Sequence, residues 1–302
     1  MIKKFIVTTT INKPTIALKR FSKMKGWKLI VVGDLKTPHQ FYKNSIFNYL
    51  DPKKQEKLYP RLSQILGWNT IRRRNIGFLY AYHSGADLIA TVDDDNIPNA
   101  EWGKNIFVNK KVVASVYNSK NNFFDPLYNT KYKNLWHRGY PIQLLSSRSA
   151  QKFSKKKFEC LVQADLWNGD PDVDAICRIS MKPIVKFKKF NPFTTTNITP
   201  FNSQNTFISA KILKHYFMFP FVGRMDDIWG AYVLFQTLNK KPFILFNNAT
   251  VNQKRNLHNL VDDLNDELSG YKQSQYFLKK NYRKIIPEKS LKAFEIYRSY
   301  FK

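Results

Sequence analysis

The sequence predicts an α/β fold in which a mostly parallel β-sheet is flanked by helices. Over the first 120 residues, short apolar runs typical of buried strands alternate with longer segments whose apolar residues recur at helical spacing. Parallel strands need long crossover connections, and helices between the strands supply them. The chain has 302 residues, of which 43% are hydrophobic and 24% charged, so it can bury a substantial core.

The predicted strands are short runs of apolar or β-branched residues, and they cover residues 5–8, 27–32, 88–92, 112–117 and 242–246. Helices are predicted over residues 15–24, most of 42–66, 69–84, 203–217, 226–238 and much of the last 50 residues.

The limits of one helix and the course of the middle of the chain can also be predicted. Asn69 or Thr70 can cap the helix over residues 69–84, and Gly85 can end it. Residues 119–200 are rich in Asn, Lys, Pro and Thr, and we expect loops there that wall a site. A single α/β domain over residues 1–270, followed by a basic helical extension over 271–302, is the simplest organisation.

The chain is strongly basic, with 50 Lys and Arg against 22 Asp and Glu and a net charge of +28. Such a charge attracts nucleic acids, anionic lipids and anionic substrates. It is spread along the chain without a basic tail or zinc-finger spacing, so we expect no specific nucleic-acid partner. Peripheral contact with an anionic membrane is the more plausible consequence.

Two cysteines, Cys160 and Cys177, are too few for a disulfide framework and form no CxxC motif, which favours a reducing, cytoplasmic location. The apolar run at the N-terminus is too short for a signal peptide, and no run approaches the 18 or so apolar residues of a membrane span. We therefore expect a soluble or peripheral protein.

Three consecutive aspartates, Asp93, Asp94 and Asp95, follow the predicted strand over residues 88–92. Open α/β sheets bind ligands at the carboxyl ends of their strands, and a turn there lets Asp93 and Asp95 converge on one point. Their oxygens suit Mg²⁺ or Mn²⁺ bound together with a diphosphate, whose departure the metal would assist. The alternative is a solvated acidic turn.

Basic residues precede the same strand in the segment Arg72-Arg-Arg-Asn-Ile-Gly. Arginines on a helix that enters the site can hold a diphosphate in bidentate fashion, which makes Arg73 and Arg74 candidates, with Asn75 beside them. A solvated helix face is the alternative.

Several segments, in order along the chain, resemble the STELLO-type glycosyltransferase domain. They are Val31-Val-Gly-Asp-Leu-Lys-Thr-Pro, Arg74-Asn-Ile-Gly-Phe-Leu-Tyr-Ala, Gly85-Ala-Asp with Asp93-Asp-Asp-Asn, His137-Arg-Gly-Tyr-Pro, Pro171-Asp-Val-Asp-Ala-Ile-Cys-Arg, Phe201-Asn-Ser-Gln-Asn-Thr, Gly223-Arg-Met-Asp-Asp-Ile-Trp and Gln253-Lys-Arg-Asn-Leu-His-Asn-Leu. The Arg-Gly-Tyr-Pro and Asp-Asp-Ile-Trp pieces also resemble the reversibly glycosylated polypeptides, which include UDP-arabinopyranose mutases. The resemblance runs from about residue 30 to 270.

The resemblance implies a GT-A-like fold and a site for a nucleotide-sugar, in the first place one linked to UDP, with Mn²⁺ or Mg²⁺ as cofactor. It places Asp93–Asp95 at the metal and diphosphate, and Asp34 at the base or ribose. Thr8, Thr9 and Thr10 would line the same pocket, and Asn202 and Gln204 would contact the substrate.

The remaining candidates each have a structural alternative. The resemblance implies that Arg138 contributes to sugar handling. The alternative is a structural arginine that binds a loop carbonyl. Asp172 and Asp174 flank Val173, so an extended backbone puts both carboxylates on one face, where they can bind sugar hydroxyls. The alternative is that they cap the segment that follows. Either Asp226 or Asp227, with Asp227 favoured, can be the base that an inverting transferase needs. The alternative is that both carboxylates cap a helix.

Further along the chain, Arg255 and His258 share a helical face if that segment is helical, where Arg255 can hold a phosphate and His258 can complete the metal shell. A His is more commonly just a satisfied polar residue. Trp136, Trp167 and Trp229 are sugar-stacking platforms or, more commonly, core residues.

Two enzymatic hypotheses share this site. The first is a metal-dependent glycosyltransferase that passes sugar from a nucleotide-sugar donor to a glycan or lipid-linked acceptor. The second is a nucleotide-sugar mutase that interconverts pyranose and furanose forms without an acceptor. A third hypothesis, a non-catalytic basic scaffold, predicts that Asp93→Asn and Asp95→Asn leave its activity intact.

Overall fold

The computed structural model describes residues 2–43, 47–240, 242–254 and 259–301. In those ranges the strands are β1 Lys4–Thr10, β2 Trp27–Gly33, β3 Asn48–Leu50, β4 Leu88–Val92, β5 Asn96–Pro98, β6 Lys111–Asn118, β7 Gln151–Glu159, β8 Val162–Gly169, β9 Phe193–Thr195, β10 Asn205–Ser209 and β11 Ile244–Gln253. The α-helices are α1 Ile16–Phe21, α2 Pro52–Leu58, α3 Pro60–Leu66, α4 Arg74–His83, α5 Ala175–Met181, α6 Asp226–Thr237, α7 Leu260–Gln273 and α8 Glu288–Arg298. The structure confirms the predicted α/β class, with a sheet flanked by helices.

The strands form one twisted sheet in the order β3-β2-β1-β4-β10-β8-β11-β9-β6-β7, with β5 paired to β11. The run β3-β2-β1-β4 is parallel, so the carboxyl ends of these strands meet at one edge. Helix α4 packs across β1 and β2 through Gly77, where a Cβ atom would lie 2.5 Å from Val7 and 2.8 Å from Val32. This close approach brings the start of α4 to the same edge.

The remainder of the sheet is mixed because β10 enters antiparallel between β4 and β8. The helix predicted over residues 203–217 is therefore wrong, since its first part is β10 and only Ala210–His215 forms a 3-10 helix. Every residue of β10 is buried, so neither face of the strand is exposed to solvent. Without that alternation, its apolar residues resemble part of a buried helix.

The middle of the chain is also more regular than predicted, because residues 119–200 include β7, β8, β9 and α5. Strand β8 lies inside the sheet between β10 and β11. Strand β7 ends the sheet, and its lysines make it resemble a loop, although lysine is a common way to protect an exposed edge.

The C-terminal residues are helical, as predicted, and they pack on the core of the α/β domain. Phe294 and Tyr297 of α8 are buried, with ring centroids 5.5 Å and 4.9 Å from that of Phe217. A boundary at residue 270 falls inside α7. Within the described ranges, no helix combines the length and apolarity needed to cross a bilayer.

Candidate active site

A cleft of about 590 Å³ opens where β1, β2 and β4 end. The ionisable residues that line it are Asp34, Asp93, Asp94, Asp95, Asp172, Asp226, Asp227, Asp266, Arg72, Arg73, Arg74, Arg138 and Arg224. Acidic residues are scarce in this chain, so their concentration in one cleft indicates a site for cations or for ligands that bring a cation with them.

Asp93 is held by Arg74 at the floor of the cleft. The Arg74 Nη2 atom lies 2.6 Å from Asp93 Oδ1 and 3.1 Å from Thr9 Oγ1. The Nη1 atom of Arg74 donates to the Ser203 carbonyl at 2.9 Å and to its hydroxyl at 3.0 Å. Arg74 is buried, so its charge is balanced mainly by Asp93 and the pair is locked in place.

Asp94 organises the loop after β1. Its Oδ2 atom accepts hydrogen bonds from the Thr10 hydroxyl and the Asn12 amide, and its carbonyl accepts one from the Thr15 hydroxyl. Burial raises the pKa of Asp94 above its ordinary value, against the effect of the two hydrogen-bond donors. The structure therefore gives Asp94 a role in shaping the cleft wall.

Asp95 and Gln253 supply oxygen atoms to the same cleft, Asp95 from the turn after β4 and Gln253 from the end of β11. The Oε1 atom of Gln253 is buried and has no hydrogen-bond partner among the described residues. In the same ranges, no three His, Cys, Asp or Glu side chains form a complete metal cage. An oxygen-only set that leaves positions for phosphate fits Mg²⁺ or Mn²⁺, which is usually held by one or two carboxylates and the substrate.

Asp34 follows β2 at the cleft, but its carboxylate oxygens already accept hydrogen bonds from backbone N–H groups. Its Oδ1 atom accepts from the Asn69 N–H at 2.7 Å, and its Oδ2 atom from the Thr70 N–H at 3.0 Å. These bonds fix the turn that precedes Arg72–Arg74. The contact of Asp34 with a base or ribose stays a prediction.

Three of the candidate residues have side chains that are held by other parts of the protein. The Arg73 guanidinium donates to Gln55 Oε1 and to Ser63 and Gly67, and it stacks 3.5 Å from the Trp68 ring centroid. The Asn75 side chain exchanges two hydrogen bonds with the backbone of Met218. Thr8 is fully buried within β1. Arg73 lines the cleft whereas Thr8 and Asn75 do not, and the assignment of the three residues to the cofactor site stays a prediction.

Arg138 lies at the centre of a second charged group in the cleft. It binds Asp172 in bidentate fashion, with Nε–Oδ1 at 2.8 Å and Nη2–Oδ2 at 3.0 Å, and Nη2 lies 3.1 Å from Asp227 Oδ1. Its Nη1 atom donates to the Arg224 carbonyl. The Arg224 carbonyl and the two carboxylates together hold the Arg138 side chain. Arg138 therefore binds a loop carbonyl, as its structural alternative expected, and it does so inside the cleft.

Asp226 and Asp227 begin α6 but have different surroundings. Asp227 Oδ2 accepts from the N–H and hydroxyl of Ser203, at 2.8 and 3.0 Å. Burial acts to raise the pKa of Asp227, but Arg138 outweighs it and holds that pKa below its ordinary value. For Asp226, burial raises the pKa to about 6, although Arg72 opposes it with Nε 3.0 Å from Oδ2.

The other predicted substrate residues divide between the cleft and the surrounding structure. Asp174 caps α5 by accepting from the Cys177 N–H at 2.8 Å and does not line the cleft, which matches the capping alternative. Asn202 donates to Asp172 at 2.8 Å and to Gln204 Oε1 at 3.2 Å. Asp172 and Gln204 both line the cleft, so they remain candidates for substrate contact.

Arg255 and His258 lie outside the described residues, so their predicted roles stay predictions. The three candidate stacking tryptophans are buried and belong to the core. Trp136 donates its ring N–H to Asp174, and Trp229 donates to the Ser274 hydroxyl.

Other cleft residues have partners that the sequence alone does not specify. Arg72 pairs with Asp226, Arg224 with Asp263 and Glu267 of α7, and Ser203 joins Arg74 to Asp227. The Oε1 atom of Gln253 has no hydrogen-bond partner among the described residues. Ser203, Arg224 and Gln253 lie within segments that carry the family resemblance, which is the signal that could have identified them, whereas Arg72 lies two residues before such a segment.

Gly139 follows Arg138 with a φ of +87° and packs against α6, where a Cβ atom would lie 2.2 Å from Ile228 Cγ2. The close approach is therefore to a helix of the protein. Gly139→Ala is expected to lower the free energy of unfolding by about 2–4 kcal/mol, from steric overlap and positive φ together. Urea unfolding measures this.

Gly26 is a matched control because its φ is +76° and only the flexible side chain of Lys4 comes within 4 Å of its Cβ position, at 3.5 Å. Gly26→Ala should cost only about 1–2 kcal/mol, the backbone contribution. Equal losses in the two variants would show that contact with α6 does not explain Gly139.

The comparisons with known proteins agree with the motifs. The chain is 26% identical to the probable glycosyltransferases STELLO1 and STELLO2 of Arabidopsis thaliana, over 225 residues that make up 68% of this chain. This confirms the resemblance to STELLO-type glycosyltransferases, although the chain matches only 29% of the length of these relatives. No family model matches the chain.

Among solved structures, the chain is similar to glucosyl-3-phosphoglycerate synthase of Mycobacterium tuberculosis. The two sequences are 12% identical and the TM-score is 0.45, and the match covers 95% of this chain and 82% of that chain. For the complex of that protein with Mn²⁺, UDP-glucose and phosphoglyceric acid, the identity is 11% and the TM-score 0.47, over 95% and 81% of the two chains.

Proposed function

We propose that this protein is a metal-dependent glycosyltransferase that uses a nucleotide-sugar, most simply one linked to UDP, to glycosylate a glycan or lipid-linked acceptor. One observation carries the proposal. Ser203 hydrogen-bonds both Arg74, the partner of Asp93, and Asp227, the partner of Arg138. These contacts support a single cleft in which the proposed diphosphate site and the proposed sugar site are adjacent.

The donor side of the cleft is built from Asp93, Asp95 and Gln253, whose oxygens would hold the divalent metal. When bound, the metal would neutralise the diphosphate leaving group. Arg74 keeps Asp93 in one orientation, and the loop held by Asp94 closes the wall beside it. Asp34 orders the turn that leads to Arg72, so the protein positions the diphosphate largely through prearranged groups.

On the acceptor side, the surroundings favour Asp226 over Asp227 as the proton acceptor. Asp227 already accepts from Arg138 and Ser203, and its lowered pKa makes it a weak base. Asp226 lines the cleft and has a pKa closer to neutrality. Arg138 and Asp172 would orient the sugar and hold Asp227 in place.

The pH dependence of turnover tests this assignment. A base must be deprotonated, so kcat/KM should rise as the pH increases through about 6 and level off above it. Asp226→Asn should lower kcat by about 10²–10⁴-fold and remove this rise. Asp262→Asn, on the exposed side of α7, should leave the profile unchanged. A rise that persists in Asp226→Asn would assign the base elsewhere.

A second experiment tests the reaction itself. The protein is incubated with Mn²⁺ and a panel of nucleotide-sugars, with and without glycan or lipid-linked acceptors, and the products are resolved by NMR. We expect acceptor-dependent release of the nucleoside diphosphate and a new glycosidic bond. A furanosyl nucleotide formed without acceptor would instead establish the mutase, which the Arg-Gly-Tyr-Pro segment also resembles. An activity that survives Asp93→Asn and Asp95→Asn together would support a scaffold.

A further inference from the structure

Residues 179–189 form an exposed basic and apolar segment at the end of α5. Its large apolar side chains are unusually open to solvent, with Ile184 74%, Met181 47% and Ile179 43% exposed. Lys182, Lys186, Lys188 and Lys189 are also exposed, and the segment contains no acidic residue. Among the described residues, none of these four lysines forms an ion pair.

Hydrogen bonds of the backbone hold the segment in place, while the side chains of its outer face are exposed. The Val185 N–H and carbonyl both bond to Gly169 at 2.8 Å, and the Phe187 N–H donates to Asn168 at 2.9 Å. The Phe187 ring centroid lies 5.2 Å from that of Tyr132. Because Val185 and Phe187 point inward, the alternating residues Ile184, Lys186 and Lys188 share the outward face.

Two connections link the segment to the cleft. Gly169, which binds Val185 in the middle of the segment, also pairs with Gln253 of the cleft wall. Before the segment, Asp172 lines the cleft and lies two residues before the cap of α5. Whatever covers the exposed face is therefore close to the mouth of the site.

The chemistry of this face selects one kind of partner. Protein interfaces are depleted in lysine at their centres, which disfavours a protein partner. Single-stranded nucleic acids are bound by aromatic side chains and cations, so the aliphatic residues would have no role. Aliphatic side chains surrounded by lysines suit an anionic bilayer, where the apolar groups enter the headgroup boundary and the ammonium groups stay at the phosphates.

We propose that the outward face of residues 179–189 docks this protein on an anionic membrane surface beside its cleft. The docking does not depend on the proposed transferase. Only its consequence, that the acceptor is anchored in the same membrane, rests on that function.

Sedimentation with vesicles tests the docking without any enzymatic readout. The wild type should bind vesicles with about one third phosphatidylglycerol, bind neutral phosphatidylcholine far more weakly, and be released at about 0.5 M salt. The variant K182E/K186E/K188E should partition at least about 100-fold more weakly, and Ile184→Asn about 10-fold more weakly.

The variant K155E/K156E/K157E on the exposed edge strand β7 is the matched control, since it changes the net charge equally at another site. It should retain binding to within a few-fold. Comparable loss in both triple variants would overturn the proposal, as would a wild type that binds neutral and anionic vesicles equally. So would a wild type that ignores vesicles but binds a polynucleotide in a manner sensitive to K182E/K186E/K188E. Unchanged UDP affinity in the docking variants separates this result from the fate of the proposed function.

Discussion

Arg138→Met is expected to lower the free energy of unfolding by about 3–5 kcal/mol and to abolish turnover. The substitution leaves Asp172 and Asp227 buried without their shared cation. Uncompensated buried carboxylates are costly, and they recover part of that cost by taking up protons. Chemical denaturation at neutral pH and at about pH 5 should therefore show a smaller loss of stability at the lower pH.

The sign of this pH effect follows from the carboxylate pKa values. Asp227 has a lowered pKa in the wild type because Arg138 outweighs burial. Without Arg138, burial and the neighbouring Asp172 carboxylate raise that pKa against the two hydrogen bonds from Ser203, so we expect the folded variant to bind protons more readily than the unfolded chain. Its stability should then increase as the pH falls toward that raised pKa. A loss that does not change with pH would mean that the carboxylates rearrange toward solvent.

Arg138→Lys separates charge from geometry in the same position. Lysine keeps the positive charge but cannot bind Asp172 in bidentate fashion and Asp227 at once. We expect it to recover a large part of the stability and little of the turnover. Recovery of both would show that Arg138 acts only as a charge.

Asp95→Asn is expected to lower the affinity for UDP in the presence of Mn²⁺ by about 100-fold, to the level seen with a chelator present. The physical reason is the loss of an anionic oxygen that would hold the metal against the diphosphate. Affinity measured in chelator should not change, because the substitution keeps the shape of the side chain. Isothermal titration with and without Mn²⁺ gives both values.

Two further variants make the titration decisive. Asp87→Asn is the matched control, since Asp87 lies at the opposite end of β4 and accepts a hydrogen bond from the Lys3 N–H. It should bind UDP as the wild type does. Asp93→Asn should lower both affinity and stability, because it also removes the carboxylate that balances buried Arg74. If Asp95→Asn keeps its response to Mn²⁺, Asp95 is not a metal ligand.

The sequence predicts the acidic end of β4 well because that information is local. A buried strand followed at once by Asp93–Asp95 is visible within residues 88–95, and the structure places all three aspartates at the end of β4 in the cleft. The parallel order of the first strands likewise follows from the alternation of strands and helices. Helix α4 and its end at Gly85, with a φ of +79°, depend on similar local signals.

Strand β10 shows where local signals are insufficient. Its five buried residues lie between β4 and β8. Thr206 pairs with Thr91 of β4 and with Ala164 of β8, which are 115 and 42 residues earlier in the chain. A strand covered on both faces has no polar side to reveal its period. Only its neighbours in the sheet determine that it is a strand.

The three consecutive arginines show the same limit within the site. Successive residues near the start of a helix point about 100° apart, so equal side chains reach different surroundings. Arg72 pairs with Asp226, Arg73 is enclosed by Gln55 and Ser63, and Arg74 holds Asp93. The sequence by itself determined that cations stand beside an acidic strand end. The tertiary structure alone decided what each arginine binds, because the partners that orient each one come from distant parts of the chain.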